Sequence, residues 1–406
     1  MINQAVHEKY RSSKLGRVPS DWQDVKFADM FDERREFTND TEKYPLYSLT
    51  IEEGVTPKTE RYERSYLIKK IEDNFKIVRK DDFVYNPMNL RFGSIARHKE
   101  ENEVCVSGYY NVFKIKNGYS PVFIEHYLKS ERMMYLYNSI ATGSLKEKQR
   151  VHFSQFLELE LPMPSVKESE KIADILSTWD KAIELKKNLI EQKKEQKKGL
   201  MQRLLTGEVR LPGFEGEWVK VEFGKVMKFP KKKPVDKPED YYLLTVKLHL
   251  KGIEATNKKP NVTSKGRPYF LREPGELLIG RQNFHNGGIG IVPEGMTGYV
   301  ASNAISSIVA IKGNIKFYYY YMSNKNFFKR VEHLIGGTGQ KEISESMLKK
   351  LKLVIPPTEK EQDAIVEVLT LLDKEIELLD NELSNLKQQK KGLMQLLLTG
   401  KVRVKC

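Results

Sequence analysis

Cysteine is almost absent from this chain. Its two residues, Cys105 and Cys406, cannot staple a secreted scaffold or form a multi-thiolate zinc site. Histidine is equally sparse: none of the seven stands in a His-x3-His spacing, so metal and triad chemistry have no foothold. No apolar run approaches the ~18 residues of a membrane span. The opening residues, Met1 to Lys9, lack the apolar core of an export signal. These absences predict a cytoplasmic protein in a reducing compartment. Acidic residues are also outnumbered, 55 against 69 basic, and the formal charge of +14 favours a polyanionic partner.

What is present is globular. Of the 406 residues, 39% are apolar and 10% aromatic, enough for two or three cores. The chain repeats itself. Gln196-Lys197-Lys198-Gly199-Leu200-Met201-Gln202, with Leu204-Leu205-Thr206-Gly207 and Val209-Arg210, recurs as Gln389-Lys390-Lys391-Gly392-Leu393-Met394-Gln395, with Leu397-Leu398-Thr399-Gly400 and Val402-Arg403. The shift of 193 residues, as from Asp180 to Asp373, holds without a gap from Pro164/Pro357 onward. Upstream the similarity fades but its order persists, Trp22 against Trp218, Tyr127-Leu128 against Tyr321-Met322, Thr142-Gly143 against Thr338-Gly339. Four segments follow: a globular part over 1–163, a repeated segment over 164–210, a second globular part over 211–356 and the second repeated segment over 357–406.

Each repeated segment predicts a long helix. Ser165-Val166-Lys167-Glu168 and Thr358-Glu359-Lys360-Glu361 have the form of capping boxes, in which hydroxyl and carboxylate satisfy each other's amides. Gly207 and Gly400 are suited to close the helices in the left-handed conformation. About 40 residues at 1.5 Å each give a rod of roughly 58 Å. The second copy carries a seam at Ile365, Leu369, Leu372, Ile376, Leu379, Leu383 and Leu386; the first places Lys186, Lys193 and Lys197 in its seam. Gly199 and Gly392, inside the rods, suggest close backbone approach or a local break. The expected fold is α+β: two mixed α/β globular domains joined by two long helices in an antiparallel coiled coil, with an internal pseudo-two-fold repeat. The alternative use of such helices is dimerisation between chains.

Charge is uneven. The four segments carry +1, +3, +11 and −1, so the excess lies in the second globular part, around Lys228, Lys231-Lys232-Lys233, Lys237, Lys247, Lys251, Lys258-Lys259, Lys265, Arg267 and Arg272. Such a domain suits phosphate contacts with counterion release; the plainer reading is a solubilising surface.

No catalytic cluster is visible. Asn86-Pro87-Met88-Asn89 has the outline of the Asn-Pro-Pro-aromatic motif of amino-methyltransferases but lacks its second proline and aromatic, so it reads as a loop after strand Phe83-Val84-Tyr85. Gly287-Gly288-Ile289-Gly290 matches no phosphate-binding loop and reads as a tight turn. The run Phe317-Tyr318-Tyr319-Tyr320-Tyr321-Met322 could stack on bases but reads as a helix packed on a sheet. Two pairs of stretches remain. Arg91, Ser94 and Arg97 stand in one globular part where Arg281, Gln282, Asn283 and His285 stand in the other. Arginine suits guanine, and Asn or Gln suits adenine, so divergence here would change the bases read; ordinary surface turns are the plain alternative. Thr142, Gly143, Lys148 and Arg150, answered by Thr338, Gly339, Gln340 and Lys341, combine hydroxyl, open backbone and cation as a phosphate clamp would.

On these residues the chain resembles the specificity subunits of type I restriction-modification systems. The resemblance spans essentially the whole sequence, from Leu15-Gly16-Arg17-Val18-Pro19-Ser20-Asp21-Trp22, through Thr-Gly late in each globular part and Pro356-Pro357-Thr358-Glu359-Lys360-Glu361-Gln362, to the closing Gly-Leu-Met-Gln-x-Leu-Leu-Thr-Gly-x-Val-Arg of both halves. It implies two target recognition domains, each reading half of a bipartite DNA site, and helices that act as spacer and as dock for two methyltransferase subunits. It implies no cofactor in this chain: S-adenosylmethionine would belong to the methyltransferase partner, and ATP with Mg to the restriction subunits. The expected role is therefore non-catalytic. A rigid spacer near one helical turn, ~34 Å, would suit two half-sites. The partner would flip the target base out of the stack while this subunit holds the address. The competing expectation is a coiled-coil scaffold without sequence preference; a self-sufficient nucleic-acid enzyme is a third.

Overall fold

The computed structural model describes residues 10–58, 74–116, 118–145, 148–262, 266–332 and 342–405. The chain divides into two compact units, Met1–Lys187 with Glu382–Cys406, and Asn188–Asn381. Each unit holds one globular part, part of one long helix and part of the other.

In the first unit, Gln23–Lys26 pairs antiparallel with Glu160–Met163 and ties the two ends of the globular part together. The main sheet has the order Ile95–Arg97, Phe83–Tyr85, Asn111–Ile115, Phe31–Glu33. Phe83, Val84 and Tyr85 are all buried, as a central strand covered on both faces requires. Around them Phe27, Phe31, Phe113 and Phe156 pack at centroid distances of 4.9–5.8 Å. Each such ring stabilises the core by about 1.5–3 kcal/mol. Helices Pro121–Leu128 and Glu131–Ile140 begin at Ser120 and Ser130, whose hydroxyls accept the amides of Phe123 and Met133. Ile172, Ala173 and Leu176 from the start of the first long helix, and Leu397 and Leu398 from the end of the second, complete this core.

The second unit repeats the plan. Val219–Glu222 pairs with Lys352–Ile355, and the main sheet runs Ile289–Ile291, Leu277–Gly280, Ile305–Ala310, Met227–Lys228. Its core is completed by Leu204 and Leu205 from the end of the first long helix and by Ile365, Val366 and Leu369 from the start of the second. Phe317 to Met322 lies in the helix Ile315–Met322, with Phe317 and Tyr318 fully buried, so the aromatic run is packing, not a stacking platform. The peripheral sheets differ. The first unit has Val104–Val106, Phe75–Val78 and Phe37–Thr38 beside the hairpin Tyr47–Thr50/Gly54–Pro57; the second has Ile253–Ala255, Tyr242–Val246, Tyr299–Ser302 and Tyr269–Arg272, with a parallel pair at its centre.

The two long helices, Val166–Leu204 and Glu359–Leu397, are each 39 residues. They run antiparallel within both units. In the first, Asp180 meets Lys390 and Lys186 meets Glu382 at 2.7 Å; in the second, Lys193 meets Glu375 at 2.6 Å and Lys197 meets Asp373. The three seam lysines therefore keep their half-buried stems in the seam and place their ammonium groups on carboxylates of the other helix. Gly207 and Gly400 are left-handed, with φ of +74° and +67°, three residues beyond the last helical residues.

Two expectations about these helices fail. Gly199 and Gly392 lie in unbroken helix, and a side chain placed on either would meet nothing within 4 Å, so they mark neither a break nor a close approach. The capping boxes are only half formed. Ser165 and Thr358 accept the amides of Glu168 and Glu361 at 3.2 and 3.3 Å, but the carboxylates turn away. Glu168 receives Trp22 Nε1 at 3.1 Å and Arg403 Nη2 at 2.9 Å; Glu361 receives Trp218 Nε1 at 3.4 Å and Arg210 Nη2 at 2.8 Å. A bidentate guanidinium outcompetes a local amide for a buried carboxylate. The arginine that closes one long helix thus clasps the start of the other. The indole of Trp218 lies 3.2 Å from where a side chain on Gly207 would stand, and Pro19 and Trp22 crowd Gly400 in the same way.

Candidate nucleic-acid interface

In each unit a central strand leads into a short 3-10 turn and returns as the neighbouring strand. Phe83–Tyr85 is followed by Leu90–Phe92 and Ile95–Arg97; Leu277–Gly280 is followed by Arg281–Asn286 and Ile289–Ile291. Asn86-Pro87-Met88-Asn89 opens the first turn, with the Asn86 side chain accepting the Met88 amide at 3.0 Å, as the loop reading requires. Both turns end in a left-handed glycine, Gly93 (φ +91°) and Gly287 (φ +71°), a conformation glycine adopts without steric penalty. Gly93 donates to Leu90 O at 2.8 Å and Gly287 to Phe284 O at 2.9 Å. Ile95 faces Tyr85 as Ile289 faces Ile279.

This register corrects the pairing of residues expected from the sequence. Arg91 corresponds to His285, Phe92 to Asn286, and Arg281 to Pro87. Matching by residue type aligns arginine with arginine because the turns share almost no side chains; backbone hydrogen bonds fix the true equivalence.

The second predicted stretch is tied to the first in the same way twice. Val151 donates to Pro87 O at 3.0 Å, and Ile343 donates to Arg281 O at 3.2 Å. In the first unit Thr142 and Arg150 exchange amide hydrogen bonds of 2.9 Å, and Gly143 has φ +148° with the backbone of Lys148 and Gln149 against it. Arg91 Nη1 donates to Gln149 Oε1 at 2.8 Å, so Arg91, Thr142, Gly143, Lys148 and Arg150 form one neighbourhood. Thr338, Gly339, Gln340 and Lys341 lie outside the described residues, as does the side chain of Asn283.

The remaining candidates are paired or at least partly buried. Ser94 is 2% exposed. Arg97 is paired with Asp81 and lies 3.3 Å from Glu125, itself a buried carboxylate. Burial pushes Glu125 up, but Lys129, Lys99 and Arg97 outweigh it and hold its carboxyl below the usual range. Arg281 Nε lies 2.9 Å from Glu342 in a poorly aligned ion pair. Gln282 and His285 are half-buried.

The basic cluster of the second unit separates into two populations. Arg272 is 3% exposed, donates to Ser307 Oγ at 2.6 Å and to Ile305 O at 2.7 Å, and burial brings its guanidinium down to about 10. Lys232 pairs with the buried Glu276 at 2.6 Å and Lys247 with Glu254 at 2.8 Å. Lys228, Lys231, Lys233, Lys237, Lys251, Lys258, Lys259 and Arg267 are exposed and carry surface positive charge; Lys265 lies outside the described residues. The globular part over 1–163 carries only +1 and uses its arginines differently: Arg34 grips Asp82, and Arg79 bridges Glu36 and Glu103.

Sequence reasoning missed the two Trp-Glu-Arg clasps, although all six residues sit in the repeat. It also missed Phe92, 57% exposed, and Asn286, exposed, each standing directly before a left-handed glycine. An X-Gly step inside a strand-turn-strand pattern was the available signal.

Residues 19–194 and 215–388 match the family model for the Type I restriction modification DNA specificity domain. The putative type I restriction enzyme MjaX specificity subunit of Methanocaldococcus jannaschii is 25% identical over 98% of this chain and 97% of its own length. The MjaVIII specificity subunit of the same organism is 27% identical over 62% of this chain and 64% of its own. Among solved structures, the type I restriction-modification S subunit from M. genitalium superposes with a TM-score of 0.54 at 16% identity, covering 93% of this chain and 96% of that one. A chain from a structural study of complex assembly and conformational transition of the type I R-M system gives 0.54 at 15% identity, over 95% and 99%.

Proposed function

The chain belongs to the type I restriction-modification DNA specificity family, and from that premise we propose that its two globular parts read the two unlike halves of one bipartite DNA site. It is a specificity subunit with two target recognition domains, and the partners of such a subunit are DNA and the modification and restriction subunits. One observation carries the finer reading: the same sheet order, turn and tethering hydrogen bond occur twice, while the tips of the turns differ, Arg91-Phe92 against His285-Asn286. A scaffold that only assembled other proteins would have no use for two equivalent frames with unlike tips.

In this proposal, exposed lysines of the second unit, and Lys148 and Arg150 of the first, contact phosphates and set register; the turns supply base contacts. The first globular part, with its net charge of only +1, contributes more to discrimination than to affinity. The long helices dock two methyltransferase subunits, which hold S-adenosylmethionine, while the restriction subunits hold ATP and Mg; this chain binds none of these, and it works in the cytoplasm. The test exchanges residues 1–163 for the corresponding domain of another family member in the assembled complex and maps methylated adenines by single-molecule sequencing. One half of the methylated motif should change and the other persist. An unchanged motif refutes the proposal.

A further inference from the structure

We infer that the residue directly before the left-handed glycine of each turn is a base-reading position: Phe92 presents an apolar edge to a thymine methyl in one half-site, and Asn286 hydrogen-bonds an adenine in the other. The inference rests on the proposed DNA-reading function and deepens it, because neither residue belongs to the polar set that sequence reasoning selects.

Phe92 is a large ring left 57% exposed beside a fully buried Leu90. It is not a loose side chain. The Arg91 guanidinium carbon lies 4.7 Å from its ring centroid, and Arg91 is in turn anchored on Gln149. Ile51, also 51% exposed, stands 3.9 Å from the position of a side chain on Gly93, so the apolar surface continues across the tip. A propped aromatic with no polar atom cannot read hydrogen-bond donors. Its chemistry fits the one apolar group of the major groove, the thymine methyl.

Asn286 occupies the same backbone position. Its carbonyl accepts the amide of His249 at 2.8 Å, and Gly287 O accepts Leu250 N at 3.0 Å. His249 and Leu250 both hold φ of 59°, a left-handed conformation unfavourable for branched or ring side chains, which the two hydrogen bonds offset. The second unit thus holds strained backbone in place to brace the tip that carries Asn286. An exposed amide has the donor-acceptor pair that matches adenine N7 and N6. The strand-turn-strand register and the glycine that ends the turn are common to both units, while the residue before that glycine differs.

The test uses the complete complex with its modification subunits and compares F92A, F92L, N286A and Y135A. Tyr135 is a control: an aromatic 77% exposed on helix Glu131–Ile140 of the same unit as Phe92. Competition binding with duplexes substituted one base pair at a time gives base preference at each position. F92A should lower discrimination for thymine at one position of one half-site about 5- to 100-fold, F92L should retain part of it, and the other half-site should be unaffected. N286A should do the same for one adenine in the opposite half. Unfolding midpoints should match wild type, since both side chains are exposed. Preferences within twofold of wild type in F92A and N286A, or an equal loss in Y135A, overturn the inference. A wild-type complex without sequence preference would instead overturn the underlying function.

Discussion

Replacing Arg210 by alanine tests the clasp that joins the end of one long helix to the start of the other. Glu361 is a carboxylate only 1% exposed, held by two guanidinium hydrogen bonds and a long one of 3.4 Å from Trp218. Removing the arginine leaves a buried charge with one weak side-chain donor, a change that costs about 3–5 kcal/mol. The Arg210 side chain is 23% exposed, so water enters the vacated space and the lower end, about 3 kcal/mol, is expected. Glu361→Gln keeps an acceptor for the indole and the guanidinium but loses charge assistance, about 1.5 kcal/mol. Once the charge has gone, the arginine has less to neutralise. The double variant should therefore lie near ~2 kcal/mol, below the roughly 4.5 kcal/mol of simple addition. Hydrogen exchange of the amides at 219–226 and 359–366 reads the local opening free energy without assuming that the whole chain unfolds as one step. At about tenfold per ~1.4 kcal/mol, Arg210→Ala should speed exchange there about 100-fold. A loss below about 0.5 kcal/mol, or additive effects in the double variant, would show that the clasp is a surface decoration and refute the reasoning.

Arg403→Ala should loosen the equivalent clasp on Glu168 in the first unit, with a smaller loss because Arg403 is 39% exposed; exchange at 23–30 and 166–172 checks this. Gly199→Ala and Gly392→Ala should each stabilise the free chain by about 1 kcal/mol, since both sites are helical and open; thermal unfolding would detect it. At Asp180, burial raises the carboxyl, but hydrogen bonds from His126 and Lys390 outweigh it and bring it down to about 2 from 3.8. A depressed carboxyl contributes stability that is complete above pH ~4 and lost as pH falls toward ~2. Asp180→Asn should flatten that part of the stability curve, and His126→Tyr should be tolerated, because Tyr320 donates to Asp373 at 2.7 Å at the matching place in the second unit. Lys231→Ala with Lys233→Ala should weaken binding to all duplexes alike and reduce the salt slope by up to about 1.8, two phosphate contacts' worth, in titrations at several salt concentrations.

The duplication, the two helices with their glycine ends, and the α+β class are legible in the residues alone, because they rest on local rules. Heptad spacing, a hydroxyl before a helix and a glycine after it act within a few residues, and an ungapped repeat is visible without any structure. The first pair of variable polar stretches falls on the matching strand-turn-strand of each unit. The partners of individual side chains were settled by folding, because they depend on which groups meet across distance. Glu168 and Glu361 look like capping partners until arginines more than a hundred residues away claim them. Lys232 and Arg272 look like part of a DNA-binding face until burial turns them onto Glu276 and Ser307. Arg91 and Arg281 look equivalent until backbone hydrogen bonds align Arg91 with His285. A charged or polar side chain has several possible partners, and its choice is set by desolvation and by the approach of remote segments, neither of which is written in its neighbours along the chain.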